Sequence, residues 1–102
     1  MRPIARKGDP TFGYCYRCEE DTDGTIIEGC DDTECMGQPI SRIGHLVQCN
    51  RCGTTAPIVT GCDYSECCGG MSISRVGDIT SGELEHVIQS GCEFTWCDLD
   101  SE

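Results

Sequence analysis

Basic residues are scarce in this chain of 102 residues: seven lysines and arginines face eighteen aspartates and glutamates, for a formal net charge of −11. Four of the seven lie in the first seventeen positions. Neutralising phosphates takes a face of lysine and arginine. The balance therefore argues against nucleic acid as the partner and suits solubility, a basic protein partner or a high-salt source. Aromatic residues make up only 6% of the chain, so an aromatic and basic binding patch is missing too. No apolar run is long enough to span a bilayer. The opening stretch Met1 to Asp9 is polar and lacks the apolar segment of a secretory leader, so synthesis in a reducing cytosol is expected. Helix signals are almost absent. Only Ser81 to Ser90 offers a turn, with Ser81 as cap and Leu84, Val87 and Ile88 as a stripe, and the repeat described next gives Val87 and Ile88 to a strand instead. There is no nucleophile with a base beside it, no phosphate loop and no paired-acid site, so the chain does not read as an enzyme.

What is present is a unit spelled three times. Pro3-Ile4-Ala5-Arg6-Lys7-Gly8-Asp9 returns as Pro39-Ile40-Ser41-Arg42-Ile43-Gly44-His45 and as Ser72-Ile73-Ser74-Arg75-Val76-Gly77-Asp78. A second piece follows each copy: Ile26-Ile27-Glu28-Gly29-Cys30 to Cys35, Ile58-Val59-Thr60-Gly61-Cys62 to Cys67, and Val87-Ile88-Gln89-Ser90-Gly91-Cys92 to Cys97. A repeat too small to bury its own apolar face must stack on its neighbours. The expectation is one domain over residues 1–102, built of three degenerate repeats at about 3–35, 39–67 and 72–97 around a pseudo-threefold axis. The apolar pieces are short, β-branched and bounded by glycine (Gly24 to Gly29, Ala56 to Gly61, His86 to Gly91), which predicts strands of a few residues each. The fold class is all-β. A chain of this length buries a modest core and usually relies on metals, disulfides or partners for part of its stability.

Eleven cysteines supply candidates for such staples. Cys15-x-x-Cys18 and Cys49-x-x-Cys52 sit about thirty residues apart, the spacing of a structural zinc site. The two-residue gap lets both thiolates of a knuckle face one ion, and two knuckles complete a tetrahedron. The reading is one zinc held by Cys15, Cys18, Cys49 and Cys52. The alternatives are a site in which His86 replaces one thiolate, and two knuckle disulfides. The pairs Cys30/Cys35, Cys62/Cys67 and Cys92/Cys97 fit three local disulfides, small reduced core side chains or a second metal site. Cys68 has no counterpart in the other repeats and reads as a buried thiol.

Each repeat also carries a variable loop, Asp9 to Gly24, His45 to Ala56 and Asp78 to His86. Loops that begin and end at equivalent places of a threefold object meet at one end of it, which would then carry the metal. Arg6, Arg42 and Arg75 occupy one repeat position and Asp31, Asp63 and Glu93 another. Three equivalent ion pairs between them are expected. His45 replaces the aspartate found at Asp9 and Asp78, and reads as a structural hydrogen bonder.

These residues resemble a known family. Pro3-Ile4-Ala5-Arg6-Lys7-Gly8-Asp9 followed by Pro10-Thr11 is similar to the opening of PAAR-repeat proteins, named for a Pro-Ala-Ala-Arg stretch. Ile27-Glu28-Gly29 through Met36-Gly37-Gln38-Pro39 to Arg42-Ile43-Gly44 looks like that repeat without a gap, and Val59 to Asp78 looks like it with one extra residue near Gly70. The third copy, ending after Cys97, looks like the family's truncated last repeat. The resemblance covers nearly the whole chain. It implies a small β-rich cone whose triangular base caps the trimeric β-helical spike of a contractile injection machine. That spike is VgrG in type VI secretion or the central spike of a contractile phage tail. The implied function is a structural piercing tip, one copy per trimer, assembled at the spike tip and in transient contact with the target membrane. The alternative is a zinc-ribbon adaptor for nucleic acid or a protein. The resemblance also implies one zinc near the apex, held by histidines and a cysteine. Here the sequence departs: Cys49 stands at the cysteine position, but the histidine positions fall on Gly13, with Cys15 just beyond, and near Gly82, with His86 further on.

Overall fold

The computed structural model describes the backbone of residues 2–35, 37–67 and 71–97 and the side chains of residues 3–30, 34, 37–61 and 72–92. Among these the chain is all-β, without a helix. Five strands form one antiparallel sheet: β2 (Pro10–Cys15), β3 (Glu20–Ile26), β6 (Leu46–Cys49), β7 (Thr55–Pro57) and β10 (Leu84–Ile88), in the order β10-β2-β3-β6-β7. The remaining six strands make three hairpin-like pairs: β1 (Arg2–Ile4) with β11 (Cys92–Cys97), β4 (Cys30–Cys35) with β5 (Gln38–Ile40), and β8 (Cys62–Cys67) with β9 (Met71–Ile73). Each pair slips register once, at Pro3/Ile4, Cys30/Glu34 and Cys62/Glu66.

The curled sheet buries the larger of two apolar clusters on its inner face. Side chains alternate along each strand, with Thr11 and Cys15, Thr22 and Ile26, Val47 and Cys49, Ala56, and Leu84, His86 and Ile88 turned inward. Phe12, Tyr14 and Val87 stay on the outside. Ile79 pairs with Val87 on one edge and Thr80 with Ile58 on the other, so both edge strands are covered. The expected strands lie a few residues earlier than read from the sequence. After Ile26, Ile58 and Ile88 the chain leaves the sheet, because these three residues already pair with Asp9, His45 and Asp78. The helical turn within Ser81 to Ser90 is absent, and Leu84–Ile88 is strand, as the repeat requires.

The threefold symmetry is written in hydrogen bonds. Ala5 N–H donates to Ser74 O (3.0 Å), Ser41 N–H to Ala5 O (3.0 Å) and Ser74 N–H to Ser41 O (3.1 Å), a closed cycle of equivalent residues. All three are fully buried, and the Ser41 and Ser74 hydroxyls meet at the axis. Lys7, Ile43 and Val76 N–H reach Pro39, Ser72 and Pro3 O, again cyclically. Below this ring Ile4, Ile40 and Ile73 pack with Cys92 into a small second core. The three hairpin pairs surround it. Strand β3 runs from the first cysteine loop toward this ring and β6 runs back to the second, so the ring and the loops lie at opposite ends of the sheet.

In two repeats the arginine meets a carboxylate of its own turn. Arg6 Nη2 lies 3.1 Å from Asp9 Oδ1, and Arg75 Nε lies 3.2 Å from Asp78 Oδ2. The same aspartates accept the Arg6 and Arg75 N–H at 2.7 and 2.6 Å, so one carboxylate closes the turn and holds the guanidinium. The side chains of Asp31, Asp63 and Glu93 lie outside the described residues. In the second repeat His45 Nδ1 accepts the Arg42 N–H at 3.0 Å, the structural role expected of it. It offers no charge. Arg42 has no carboxylate partner among the described residues, and its Nε is buried without a hydrogen bond.

Cys30 and Cys92 each take part in a disulfide. The side chains of Cys35, Cys62, Cys67, Cys68 and Cys97 lie outside the described residues.

Candidate metal centre

The first knuckle begins where β2 ends and the second where β6 ends. Both take the same backbone form. Glu19 N–H donates to Cys15 O at 2.8 Å, and Gly53 N–H donates to Cys49 O at 2.9 Å. The closing residue has positive φ in each, 59° at Glu19 and 82° at Gly53. This reversal turns both cysteines of a pair toward one point. Strand β3 joins the knuckles: Cys15 pairs with Glu20 at one end, and Gly24 pairs with Cys49 further along.

The four sulfurs of Cys15, Cys18, Cys49 and Cys52 all lie within 4.8 Å of one another. Cys15 and Cys52 Sγ are 3.6 Å apart, and Cys18 and Cys49 Sγ are 4.0 Å apart. All four are free thiols, so the knuckle-disulfide alternative does not hold in this structure. Cys15 and Cys49 are buried, Cys18 is half-buried and Cys52 is exposed. The set is thus rooted in the core and open on one side.

Protonation of the four is divided. Burial pushes Cys15 up, against the pull of the Cys18 N–H, and burial with the neighbouring thiols pushes Cys18 up to about 12. Burial also opposes ionisation of Cys49, but the Thr22 hydroxyl and the N–H groups of Cys52 and Arg51 outweigh it, leaving Cys49 below the ordinary thiol value. The Thr54 hydroxyl and N–H bring Cys52 down to about 6. Two thiols favour the thiolate and two resist it. Four thiolates cannot share this volume without a cation, and a thiophilic divalent ion supplies that charge. The donor set fits such an ion: four sulfurs, two knuckles of matching form and N–H groups directed at sulfur.

His86 does not join them. It is fully buried, directly across from Gly13 on β2, with Nδ1 2.8 Å from Thr11 Oγ1 and Nε2 3.2 Å from Thr22 Oγ1. The alternative in which His86 replaces a thiolate is therefore not the arrangement seen. The imidazole occupies space left by a missing side chain, since a Cβ on Gly24 would stand 2.7 Å from His86 Nδ1. Sequence reasoning missed Thr11, Thr22 and Thr54 as supports of the site. Isolated threonines carry no spacing signal, and only the strand register brings them in.

The family model for the PAAR motif matches residues 1–51 and, in a second overlapping match, residues 19–83. The chain belongs to the PAAR-motif family. No curated protein matches it. The family is a structural one, whose members sit at the spike tips of contractile injection systems. Both matches run across knuckle cysteines, so the thiol cluster lies inside the family's own framework.

Proposed function

We propose that this protein is the metal-stapled tip of a contractile injection spike. It caps a trimeric spike protein, VgrG-like or of the phage central-spike type, with one copy per trimer. Zinc bound by Cys15, Cys18, Cys49 and Cys52 stiffens the end that meets the target envelope. The observation that carries this reading is the division of the molecule: a closed threefold ring at one end and a single thiol cluster at the other. A threefold partner presents one patch three times, and three near-copies answer it. The docking surface is formed by the segments β4, β8 and β11 around the ring. Zinc when bound supplies positive charge and fixed tetrahedral bonds. The chain supplies two knuckles, N–H and hydroxyl donors to sulfur, and a packed sheet beneath.

The test is reconstitution with the cognate trimeric spike. Mass measurement should find one copy per trimer and one zinc per copy. Thr33→Arg, on β4, should weaken spike binding with the zinc retained, whereas Cys49→Ser should lose zinc first. Binding of the spike through the knuckle loops would reverse the orientation. Copurifying nucleic acid with no spike binding would favour the adaptor reading.

A further inference from the structure

Three buried side chains form a hydrogen-bonded line that ends on Cys49. Thr11 Oγ1 contacts His86 Nδ1 at 2.8 Å, His86 Nε2 contacts Thr22 Oγ1 at 3.2 Å, and Thr22 Oγ1 contacts Cys49 Sγ at 3.3 Å. Their exposures are 2% for Thr11, 0% for His86, 6% for Thr22 and 1% for Cys49. Polar groups buried this deeply are costly unless each finds a partner. Aliphatic residues would fill the same volume without that requirement.

The protons on this line have one consistent arrangement when Cys49 is a thiolate. A thiolate only accepts, so the single Thr22 hydroxyl proton must point at Sγ. The Thr22 oxygen is then free to accept from His86 Nε2–H. A neutral imidazole with its proton on Nε2 has a bare Nδ1, which accepts from the Thr11 hydroxyl. Burial holds the imidazole pKa below its ordinary value, against the opposing pull of Asp23 and Asp21. With Cys49 as a thiol, S–H can donate to Thr22 instead, and the line loses its fixed direction.

We propose that His86, as the Nε2–H tautomer, is a positioning residue that holds the Thr22 hydroxyl as a donor to the Cys49 sulfur of the metal site. The inference rests on reading the four cysteines as a metal site. His86 acts through Thr22 and touches no sulfur. The expected effect is that of an outer-shell partner, about tenfold to hundredfold in metal affinity.

The test begins with cobalt(II) titration of the wild-type protein, followed by zinc competition against a chelator at pH 7. A four-thiolate cobalt spectrum is expected, and its absence overturns the metal reading and this inference with it. Given that spectrum, Thr22→Val and His86→Leu should each weaken zinc about tenfold and move the sulfur-to-cobalt charge-transfer band. Their combination should be no weaker than either alone, since both cut one line. His86→Gln, whose amide N–H reaches the Nε2 position, should restore affinity and band. Wild-type affinity in His86→Leu, or additive losses in the double variant, overturns the positioning role and leaves the metal site standing. The nitrogen chemical shifts of His86 in the zinc-loaded wild type give a readout without mutation: an Nε2–H tautomer is expected, and an Nδ1–H tautomer overturns the inference.

Discussion

The ring end and the knuckle end of this molecule solve the same problem differently. At the ring, stability comes from repetition. Ala5, Ser41 and Ser74 exchange equivalent backbone bonds, Ile4, Ile40 and Ile73 fill one small core, and a position that works in one repeat works in the others. At the knuckle end repetition is abandoned. Two loops carry cysteine pairs, while the third repeat contributes Leu84 and the buried His86. Three identical loops could present three or six ligands but not the four of a tetrahedron, so a single four-thiol site requires the symmetry to break. The described cysteines follow the same division: Cys30 and Cys92, beside the ring, each take part in a disulfide, and Cys15, Cys18, Cys49 and Cys52 are free.

On the proposed zinc reading, the largest effect should come from removing the metal. Structural zinc contributes on the order of 10–16 kcal/mol in small peptides of this type. Chelation, or Cys49→Ser, should melt β2, β3 and β6 around the knuckles while the ring keeps its slow-exchanging amides. Hydrogen exchange read residue by residue checks this. Ring and knuckle amides failing together would show one cooperative unit rather than two differently built ends.

A second strike on the knuckle end is steric. At Gly24 an added Cβ would lie 2.5 Å from Thr11 Oγ1 and 2.7 Å from His86 Nδ1. Gly24→Ala must displace the imidazole or bend β3, and overpacking of this kind costs about 1–3 kcal/mol. The loss should appear in denaturant midpoints. If His86 is what yields, zinc affinity should fall with stability.

The repeat spelling in the sequence made the ring legible, because equivalent residues make equivalent bonds. The thiol cluster was legible for a different reason: Cys-x-x-Cys is a local geometry, and two such pairs need only a fold that brings them together. A carboxylate partner of Arg6 and Arg75 was spelled locally. Arg6-x-Gly8-Asp9 and Arg75-x-Gly77-Asp78 spell a turn whose closing carboxylate also reaches the guanidinium, and that three-residue spacing was on the page. The disulfide state of Cys30 and Cys92 was not, since five-residue spacing suits a bond, a core thiol or a ligand equally. Nor was the place of His86. Its partners come from β2 and β3, and no local spacing predicts that register.

A third intervention makes the ring more regular. Arg42 belongs to the repeat whose aspartate has become His45, and among the described residues its buried Nε lacks a partner. His45→Asp should restore the pairing seen at Arg6 and Arg75 and stabilise the fold by about 1–2 kcal/mol, the scale of a hydrogen bond to a charged group. It should also change the pH response. Burial first, and the Arg42 charge second, hold the His45 pKa below 6.5, against a weaker pull from Glu28. The unfolded chain therefore binds a proton that the folded protein refuses just below pH 6.5. That contribution to stability is fully present above pH 6.5 and is lost as pH falls toward the folded value. Melting curves from pH 8 to pH 5 should show a shallower acid decline in His45→Asp than in the wild type. An unchanged slope would mean that His45 titrates alike in both states.

The smallest effect compares the two knuckles with each other. They share one backbone form, closed by a residue of positive φ, but one uses Gly53 and the other Glu19. A side chain in the left-handed region costs roughly 1–2 kcal/mol, and glycine escapes that penalty. Glu19 is exposed, and among the described residues its carboxylate forms no ion pair that would offset the strain. Glu19→Gly should therefore stabilise the folded protein by up to about 1 kcal/mol, after the extra freedom of glycine in the unfolded chain is subtracted. Gly53→Glu should destabilise by a similar amount and make the second knuckle the strained one. Thermal melts of the two single variants and of the exchange variant carrying both provide the check. If the knuckles are equivalent in backbone, the exchange should return close to the wild-type midpoint. A large residual would show that the second knuckle, which carries the ionisation-prone Cys49 and Cys52, tolerates strain less than the first.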